Sequence, residues 1–289
     1  MTIYRDLDQA ALDAQYNLRA AVPGHPAYFA HWAAESEAAR SRLAGRLDLA
    51  YGAGPGETLD LFAADRRPAP LLVFLHGGYW QAMDKRDFSF IAPAYLAAGI
   101  AVAVVNYSLA PAAGMDDIVG QIRRAVAFLA REGVALGIDP DRIFLAGHSA
   151  GGHLTVMAML TDWSSFGLAR DPLSGGCALS GIFDLEPIRL CYLNKAVGLD
   201  VVTARRNSPL HLLAAAAPPR GTLLLAVGGH ETAEFHRQQA EFAAACRAHK
   251  WHCRVVAQPA EEHFSIVDRL GERDSALHAA LVEAITQSS

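Results

Sequence analysis

Six continuous apolar runs, separated by longer segments of helical period, constrain the fold of this chain most strongly. The runs are PLLVFL, IAVAVVNY, RIFLAG, CALSGI, TLLLAV and CRVVAQ. Uninterrupted apolar residues over strand length are typical of strands that are covered on both faces. Between two of these runs, apolar residues recur every three or four positions, at Ile118, Ile122, Val126 and Leu129, as in an amphipathic helix. The alternation predicts a mostly parallel sheet with helices on both faces.

The remaining segments fit one domain built around that sheet. RLDLAYG and TLDLFAA alternate leucine with polar or small residues, which predicts a half-exposed antiparallel pair. Residues 1–44 are expected to form a helical segment that packs on the sheet or over the site. Residues 185–219 contain short apolar pieces and the coil-forming RRNSPL and APPRG, which predict a cap or a long crossover. Residues 1–289 are therefore interpreted as a single domain.

Charge and composition narrow the class of partner. The 289 residues include 25 Lys and Arg against 30 Asp and Glu without a block of like charge, so neither a nucleic-acid groove nor a polybasic membrane patch is expected. No stretch approaches the roughly 20 apolar residues of a membrane helix, and the N-terminus lacks the apolar core of a signal peptide. The four cysteines lack metal-site spacing and are interpreted as reduced thiols. We expect a cytoplasmic protein that acts on a small molecule, and a homodimer is compatible with the sequence.

The stretch FLAGHSAGGH contains the pattern G-x-S-x-G around Ser149. The predicted strand RIFLA precedes it, and a predicted helix follows. This context is that of a nucleophile elbow, a tight turn that presents a serine hydroxyl at a helix N-terminus. A glycine-rich helix start is the alternative. Because the strand and the helix are both in place, Ser149 is predicted to be a nucleophile.

A serine hydroxyl is a weak nucleophile at neutral pH and needs a histidine base that is held by an acid. Behind an elbow of this type, the acid and then the histidine follow along the chain. His263, in the loop PAEEHF after the last predicted strand, is the predicted base. Glu231, at the exit of TLLLAV, is the favoured acid. Glu234 lies one turn later, where it suits the helix dipole, and Asp200 lies in the cap region.

The sequence HGGYW follows the first central strand. Glycines at a strand end let backbone amides turn toward an anion, such as the oxyanion that forms when a serine attacks a carbonyl. Gly77 and Gly78 are predicted to form this oxyanion hole together with the amide of Ala150. The sequence leaves open whether the amide of Gly78 or that of Tyr79 faces the anion.

Tyr79 and Trp80 directly follow these glycines, so at least one of the two rings is predicted to contact substrate. The alternative is that both rings pack the loop onto the sheet.

Three histidines near these motifs, His76, His148 and His153, have no carboxylate or cysteine partner at usable spacing. We therefore predict no metal site.

Together, HGGYW, NYSLAP, GHSAGGH, GGHETAEFHRQ and EEHF resemble the α/β-hydrolase type of kynurenine formamidase, or arylformamidase, a family near the hormone-sensitive-lipase-like esterases. The match begins at DAQYNLRAAVPG and extends past His263. Tyr79 replaces the third glycine of the wider group's HGGG, and YSLAP lacks the arginine and the final glutamate of YRLAPE. The family acid is often aspartate, whereas residue 231 is a glutamate.

The resemblance implies an α/β-hydrolase fold and the hydrolysis of N-formyl-L-kynurenine to L-kynurenine and formate in tryptophan degradation. It carries the family's triad onto Ser149, Glu231 and His263, and its oxyanion loop onto Gly77 and Gly78. No cofactor is implied. The nearest alternative is a carboxylesterase with the same triad that acts on small or aryl esters. A weaker alternative is a catalytically silent member that binds a ligand in the same pocket.

Overall fold

The computed structural model describes residues 1–287 and builds them around an eight-stranded sheet. Its strands are β1 (Gly45–Ala50), β2 (Thr58–Phe62), β3 (Ala69–Leu75), β4 (Ala101–Val105), β5 (Ile138–His148), β6 (Leu173–Leu179), β7 (Thr222–Ala226) and β8 (Cys253–Val255). The order across the sheet is β1-β2-β4-β3-β5-β6-β7-β8. β1 and β2 are antiparallel to each other, β2 is antiparallel to β4, and β3 to β8 run parallel. The predicted mostly parallel sheet is confirmed.

Helices cover the sheet; β4 and β6 are buried along their whole length, and β3 is buried at every position except Pro70. The helices are α1 (Gln9–Tyr16), α2 (Leu18–Ala21), α3 (His25–Arg42), α4 (Ala92–Leu96), α5 (Met115–Leu136), α6 (Ala150–Met159), α7 (Glu186–Leu190), α8 (Asn194–Val197), α9 (Val201–Arg206), α10 (Pro209–Leu212), α11 (Ala233–Ala248), α12 (Ser265–Gly271) and α13 (Ala276–Gln287). Short 3₁₀ turns span Lys85–Ile91, Trp163–Phe166 and Leu213–Ala215. Within residues 1–287, no helix combines the length and the apolar character that crossing a membrane requires.

Helix α5 shows how local sequence sets these elements. Asp116 and Asp117 in its first turn favour the helix dipole, and Gly137 ends it in the left-handed conformation with φ 80°. The apolar positions that predicted the helix are all buried: Ile118, Ile122, Val126 and Leu129. This face packs on β5, the strand that leads to Ser149.

Strand β2 is buried rather than half-exposed, which corrects the expectation from its alternating sequence. The polar residue in the alternation, Asp60, is 1% exposed and forms an ion pair with buried Lys85. It also accepts a hydrogen bond of 2.9 Å from the backbone amide of Asp48. A buried carboxylate that is paired and hydrogen-bonded can occupy an interior strand, and sequence alternation alone does not reveal this.

Strand β8 is short and lies at the sheet edge, so its run CRVVAQ is not covered on both faces as predicted. Val255 is 50% exposed. The apolar run at this position therefore reflects β propensity more than burial.

The N-terminal segment and residues 185–219 both lie near the carboxyl ends of the strands. Helix α3 begins at His25 with Pro26 in its first turn, so part of AVPGHPAYF is helical rather than a break between helices. Proline suits that position because its missing amide would have no intrahelical partner. The second segment folds into the short helices α7 to α10. Residues from both segments line the cavity described below.

Candidate active site

Ser149 stands on a tight turn between β5 and α6. Its backbone adopts φ 57° and ψ −115°, a strained conformation for a residue with a side chain. A Cβ on Gly147 would lie 2.1 Å from the Gly151 carbonyl oxygen, and one on Gly151 would lie 1.9 Å from the Leu75 carbonyl oxygen, so both positions require glycine. Ala150 begins α6, where the first amides of a helix have no intrahelical acceptor. The geometry is that of a nucleophile elbow.

His263 lies in the loop between β8 and α12 and is hydrogen-bonded to Glu231. Its Nδ1 donates to Glu231 Oε2 at 2.7 Å, and both side chains are buried. Because Nδ1 carries the proton in this bond, Nε2 of the neutral ring keeps its lone pair. His263 and Ser149 line the same cavity. The fold therefore brings the three residues predicted as nucleophile, base and acid to one place.

Two further donors hold the carboxylate of Glu231. Its Oε1 accepts from Ser180 Oγ at 2.5 Å and from the backbone amide of Gly228 at 2.8 Å. Ser180 directly follows β6, and Gly228 and Glu231 follow β7. The carboxyl ends of neighbouring parallel strands thus supply both the acid and its support.

The other acids considered from sequence have different partners. Glu234 accepts a 2.9 Å hydrogen bond from the Tyr16 hydroxyl and so ties α1 to α11. Asp200 caps α9 by accepting from a backbone amide of that helix. Within residues 1–287, neither carboxylate is bonded to His263. The geometry therefore favours Glu231.

Backbone hydrogen bonds join the loop that carries Glu231 to the loop that carries His263. The His230 amide donates to the Glu261 carbonyl at 3.0 Å, and the Gly229 amide donates to the Gln258 carbonyl at 2.8 Å. The relative position of the two side chains is therefore fixed by backbone contacts between the residues that precede Glu231 and those that precede His263.

His148, at the variable position of the elbow, also supports this loop. Its Nε2 donates to the backbone carbonyl oxygen of His263 at 2.8 Å, and the centroids of the two rings lie 4.6 Å apart. Burial and, to a smaller extent, the nearby His263 lower the pKa of His148 well below its ordinary value of 6.5. The ring is thus a neutral hydrogen-bond donor at neutral pH.

The glycine loop lies directly against the elbow. Gly78 has φ 97°, and a Cβ there would lie 2.2 Å from the Ala82 carbonyl oxygen. A Cβ on Gly77 would lie 3.2 Å from the Ser149 Cβ. In the described part of the chain, the backbone amides of Gly78 and Tyr79 donate to no other group. Both amides are free to bind an anion, so the choice that the sequence left open stays open.

His76 holds the glycine loop in place through contacts with the loop itself and with Asn106 and Tyr107. Its Nε2 lies 3.1 Å from Asn106 Oδ1, its Nδ1 lies 2.9 Å from the Gly77 carbonyl oxygen, and its ring stacks on Tyr107 at 4.3 Å. The Tyr107 hydroxyl donates to the His76 carbonyl at 2.8 Å. Asn106 and Tyr107 begin the motif NYSLAP. That motif and HGGYW are therefore parts of one hydrogen-bonded unit.

A cavity of about 440 Å³ opens in front of Ser149 and His263. This volume is within the range of roughly 300–1,000 Å³ that is usual for small-molecule sites. Its lining comprises Asn17, Leu18, Arg19, Phe29, Gly78, Tyr79, Gln81, Ala82, Met83, His148, Ser149, Tyr192, Leu193, His263 and Phe264. The N-terminal segment and the cap region thus form walls of the site.

Of the two rings, of which at least one is predicted to contact substrate, that of Tyr79 lines this cavity, whereas that of Trp80 does not and takes the alternative role of packing the loop. Trp80 is 0% exposed, and its ring meets His153 edge-on with centroids 5.1 Å apart. Positive φ values at both Tyr79 and Trp80 turn the chain so that the second ring enters the core. The Tyr79 hydroxyl donates to the Tyr16 carbonyl at 2.9 Å.

The histidines considered for a metal site have other partners. His76 bonds within the glycine loop, His148 donates to the loop of His263, and His153 Nε2 donates to the Asn207 carbonyl at 2.7 Å. Across residues 1–287, no three His, Cys, Asp or Glu side chains are grouped so that they could hold a metal ion.

Comparison of the sequence with those of known proteins shows the family to which the chain belongs. The BD-FAE family model matches residues 59–170. A kynurenine formamidase from Danio rerio is 31% identical over 257 residues, which cover 88% of this chain and 86% of that protein. The chain belongs to the kynurenine formamidase family. The resemblance inferred from its motifs is thereby confirmed.

Solved structures agree with this membership. A protein named as a thioesterase from Silicibacter sp. is 32% identical, with a TM-score of 0.81 and coverage of 95% of this chain and 98% of that chain. Esterase B from Lactobacillus rhamnosis, at 18% identity and a TM-score of 0.71, covers 94% of this chain and 96% of its own and shows the fold alone. The α/β-hydrolase fold is confirmed. This member of the kynurenine formamidase family is a hydrolase that acts on a formamide or an ester.

Three residues of this site were not predicted from the sequence. Ser180 lies within the run CALSGI, and its position beside the exit of TLLLAV indicates contact with the acid. His148 stands at a variable position of G-x-S-x-G, to which the motif assigns no role. Arg19 lies within DAQYNLRAAVPG, where the resemblance begins, but no pattern in that stretch assigns a role to the arginine.

Proposed function

We propose that this protein hydrolyses N-formyl-L-kynurenine to L-kynurenine and formate, a step of tryptophan degradation, with Ser149 as nucleophile, His263 as base and Glu231 as acid. The observation that carries the proposal is the 2.7 Å hydrogen bond between His263 Nδ1 and Glu231 Oε2, beside the Ser149 elbow. Membership of the kynurenine formamidase family supports this choice of substrate.

In the first step, Ser149 Oγ attacks the formyl carbon while His263 Nε2 takes the hydroxyl proton. The carbonyl oxygen becomes an oxyanion, which accepts hydrogen bonds from the amide of Ala150 and from an amide of the loop at Gly77 and Gly78. These donors belong to a rigid elbow and a hydrogen-bonded loop, so little reorganisation is needed when the charge develops.

In the second step, His263 gives its proton to the arylamine nitrogen as the bond between carbon and nitrogen breaks. An amine leaves poorly unless it is protonated, so this step depends on the orientation of the imidazolium. Glu231 holds Nδ1 and stabilises the positive ring, while Ser180 and Gly228 hold Glu231. Water, activated by His263, then attacks the formyl-serine and releases formate.

The test compares kcat/KM for N-formyl-L-kynurenine with kcat/KM for p-nitrophenyl acetate, with the kynurenine product followed by liquid chromatography. A clear preference for the formamide is expected. Turnover of the ester without turnover of the formamide would overturn the proposal in favour of a carboxylesterase.

A fluorophosphonate probe addresses the remaining alternative, a silent ligand-binding member of the fold. The probe should label purified wild-type protein at Ser149. Folded protein that is neither labelled nor active would contradict any serine-hydrolase function.

A further inference from the structure

One wall of the active-site cavity comes from the N-terminal segment, which is fixed to the rest of the site. The backbone carbonyl of Tyr16 accepts a 2.9 Å hydrogen bond from the Tyr79 hydroxyl, and the hydroxyl of Tyr16 donates a 2.9 Å hydrogen bond to Glu234. Asp13 accepts from the backbone amide of Tyr192 in the cap region at 2.8 Å. Residues of this segment therefore keep a defined position relative to the loop that precedes the elbow.

Arg19 in this wall has an unusual electrostatic position. Among the lining residues within positions 1–287, it is the one with a permanent charge, and no Asp or Glu lines the cavity. Its guanidinium lies over the ring of Phe29, 5.7 Å from the centroid. In the described part of the chain, Arg19 forms no ion pair with a carboxylate. A cation thus faces the cavity with its hydrogen-bonding capacity unused by the protein.

The surroundings of Arg19 suit a carboxylate ligand. A guanidinium presents paired donors that match the two oxygens of a carboxylate, and stacking on an aromatic ring limits the orientations of the guanidinium. Asn17 and Gln81, which also line the cavity, add amide donors. Apolar residues such as Leu193 and Phe264 complete the lining and suit the body of an aryl substrate.

We propose that Arg19 is a specificity-determining residue that binds a carboxylate on the substrate within this cavity. This inference rests on the proposed hydrolase function of the same cavity and extends it to a substrate class: acyl compounds that carry a carboxylate. N-formyl-L-kynurenine is one member of that class, and carboxylate-bearing aryl esters are others.

The first experiment measures binding without turnover. Ser149→Ala protein is titrated calorimetrically with N-formyl-L-kynurenine and with its methyl ester. The titrations are repeated with two double variants, which combine Ser149→Ala with Arg19→Gln or with Arg19→Lys. Loss of one charged hydrogen-bonding pair is expected to weaken binding of the carboxylate form by about tenfold. Lysine should restore part of the affinity, and the methyl ester should bind about equally to all three proteins. If Arg19→Gln binds both ligands as its parent does, the proposal is overturned.

The second experiment separates this proposal from the proposed formamidase activity. In proteins with Ser149 intact, kcat/KM is measured for 4-acetoxybenzoate and for its neutral methyl ester. Arg19→Gln should lower kcat/KM for the anionic ester by about tenfold, mainly through KM. Arg66→Gln is the matched control, because Arg66 is exposed between β2 and β3 at the opposite end of the sheet.

The outcomes of the two arms are distinct. A charge-selective loss with the ester pair, in a protein that does not cleave N-formyl-L-kynurenine, supports Arg19 and contradicts the formamidase proposal. Cleavage of N-formyl-L-kynurenine with equal effects of Arg19→Gln on charged and neutral ligands supports the formamidase proposal and overturns the role of Arg19.

Discussion

The Nε2 of His148 donates a 2.8 Å hydrogen bond to the backbone carbonyl oxygen of His263. The residue that immediately precedes the proposed nucleophile thus holds the loop of the proposed base. The bond does not involve the His263 ring, so it constrains the position of the ring without competing for its nitrogens. His148 is accordingly a positioning residue.

His148→Leu should lower kcat by about tenfold and change KM less than kcat, because the base would lose orientation while the other residues that line the cavity stay in place. His148→Gln, which keeps a side-chain donor, should recover part of the loss. Steady-state kinetics on p-nitrophenyl acetate would measure both effects, with thermal unfolding as a control. Equal kcat values for the leucine and glutamine variants would argue against the hydrogen bond.

Glu231→Gln should mainly lower kcat, whereas Glu234→Gln should mainly lower the stability of the fold. Glutamine at 231 cannot stabilise the imidazolium and should reduce kcat by about 10³-fold or more. Glutamine at 234 weakens an ion pair with Arg237, which keeps its second pair with Glu241, and should cost about 2 kcal/mol of stability, with kcat reduced by less than about tenfold. Chemical unfolding and kcat measured on the same preparations would distinguish them. A larger kcat loss at 234 would move the acid to that position.

Much of this site could be predicted because parallel strands place their carboxyl ends at one edge. Ser149, Glu231 and His263 each follow a recognisable apolar run, so their order along the chain brought them near each other in the expected fold. The tight elbow could also be predicted, because only glycine at positions 147 and 151 permits the close approach of neighbouring backbone carbonyls. These features depend on local sequence and on one topological rule.

The features that could not be predicted depend on distant contacts. Trp80 follows Tyr79 directly, yet two successive positive φ values send its ring into the core. The alternating sequence around Asp60 predicts a solvent-facing residue, whereas Asp60 is buried against its partner Lys85, which is distant in the sequence. Arg19 reaches the cavity only because α1 and α2 are tied to the loop of Tyr79 and to the cap. Neither a hydrophobic period nor the spacing of a motif indicates these contacts.

Ser149→Ala should reduce kcat by about 10³-fold or more and remove labelling by a fluorophosphonate, while the fold stays intact. Ser180→Ala is the matched control, because Ser180 is a buried serine that bonds to Glu231. It should remain labelled at Ser149 and lose activity only in part. Near-wild-type turnover by Ser149→Ala would disprove the nucleophile assignment.

Trp80→Ala should act through stability rather than through substrate choice. Removal of a fully buried tryptophan is expected to cost about 3–5 kcal/mol. Because the ring does not line the cavity, kcat/KM for N-formyl-L-kynurenine and for a short aliphatic ester should fall by the same factor. The comparison is made below the unfolding transition of the variant. A loss confined to the formamide would show that Trp80 contacts the substrate after all.

Stability should fall in mild acid because of buried neutral histidines. Burial lowers the pKa of His153 to about 4 in the folded protein, and the pKa values of His148 and His76 are lowered in the same direction. Below about pH 6.5 the histidines of the unfolded chain therefore bind protons, whereas the same histidines stay neutral in the folded chain until a lower pH. This contribution is fully present above about pH 6.5 and is lost as the pH falls toward 4, by about 3 kcal/mol for His153 alone.

The test compares thermal unfolding at pH 7 and pH 5 for wild type and His153→Phe. Phenylalanine keeps the ring contact with Trp80 but has no titrating nitrogen. The decrease in Tm between the two pH values should be about 4 °C smaller in the variant, even though its Tm at pH 7 is lower because the hydrogen bond to Asn207 is lost. His252→Gln, at an exposed position, is the matched control and should follow wild type. Parallel pH profiles for wild type and His153→Phe would show that His153 does not set the acid sensitivity.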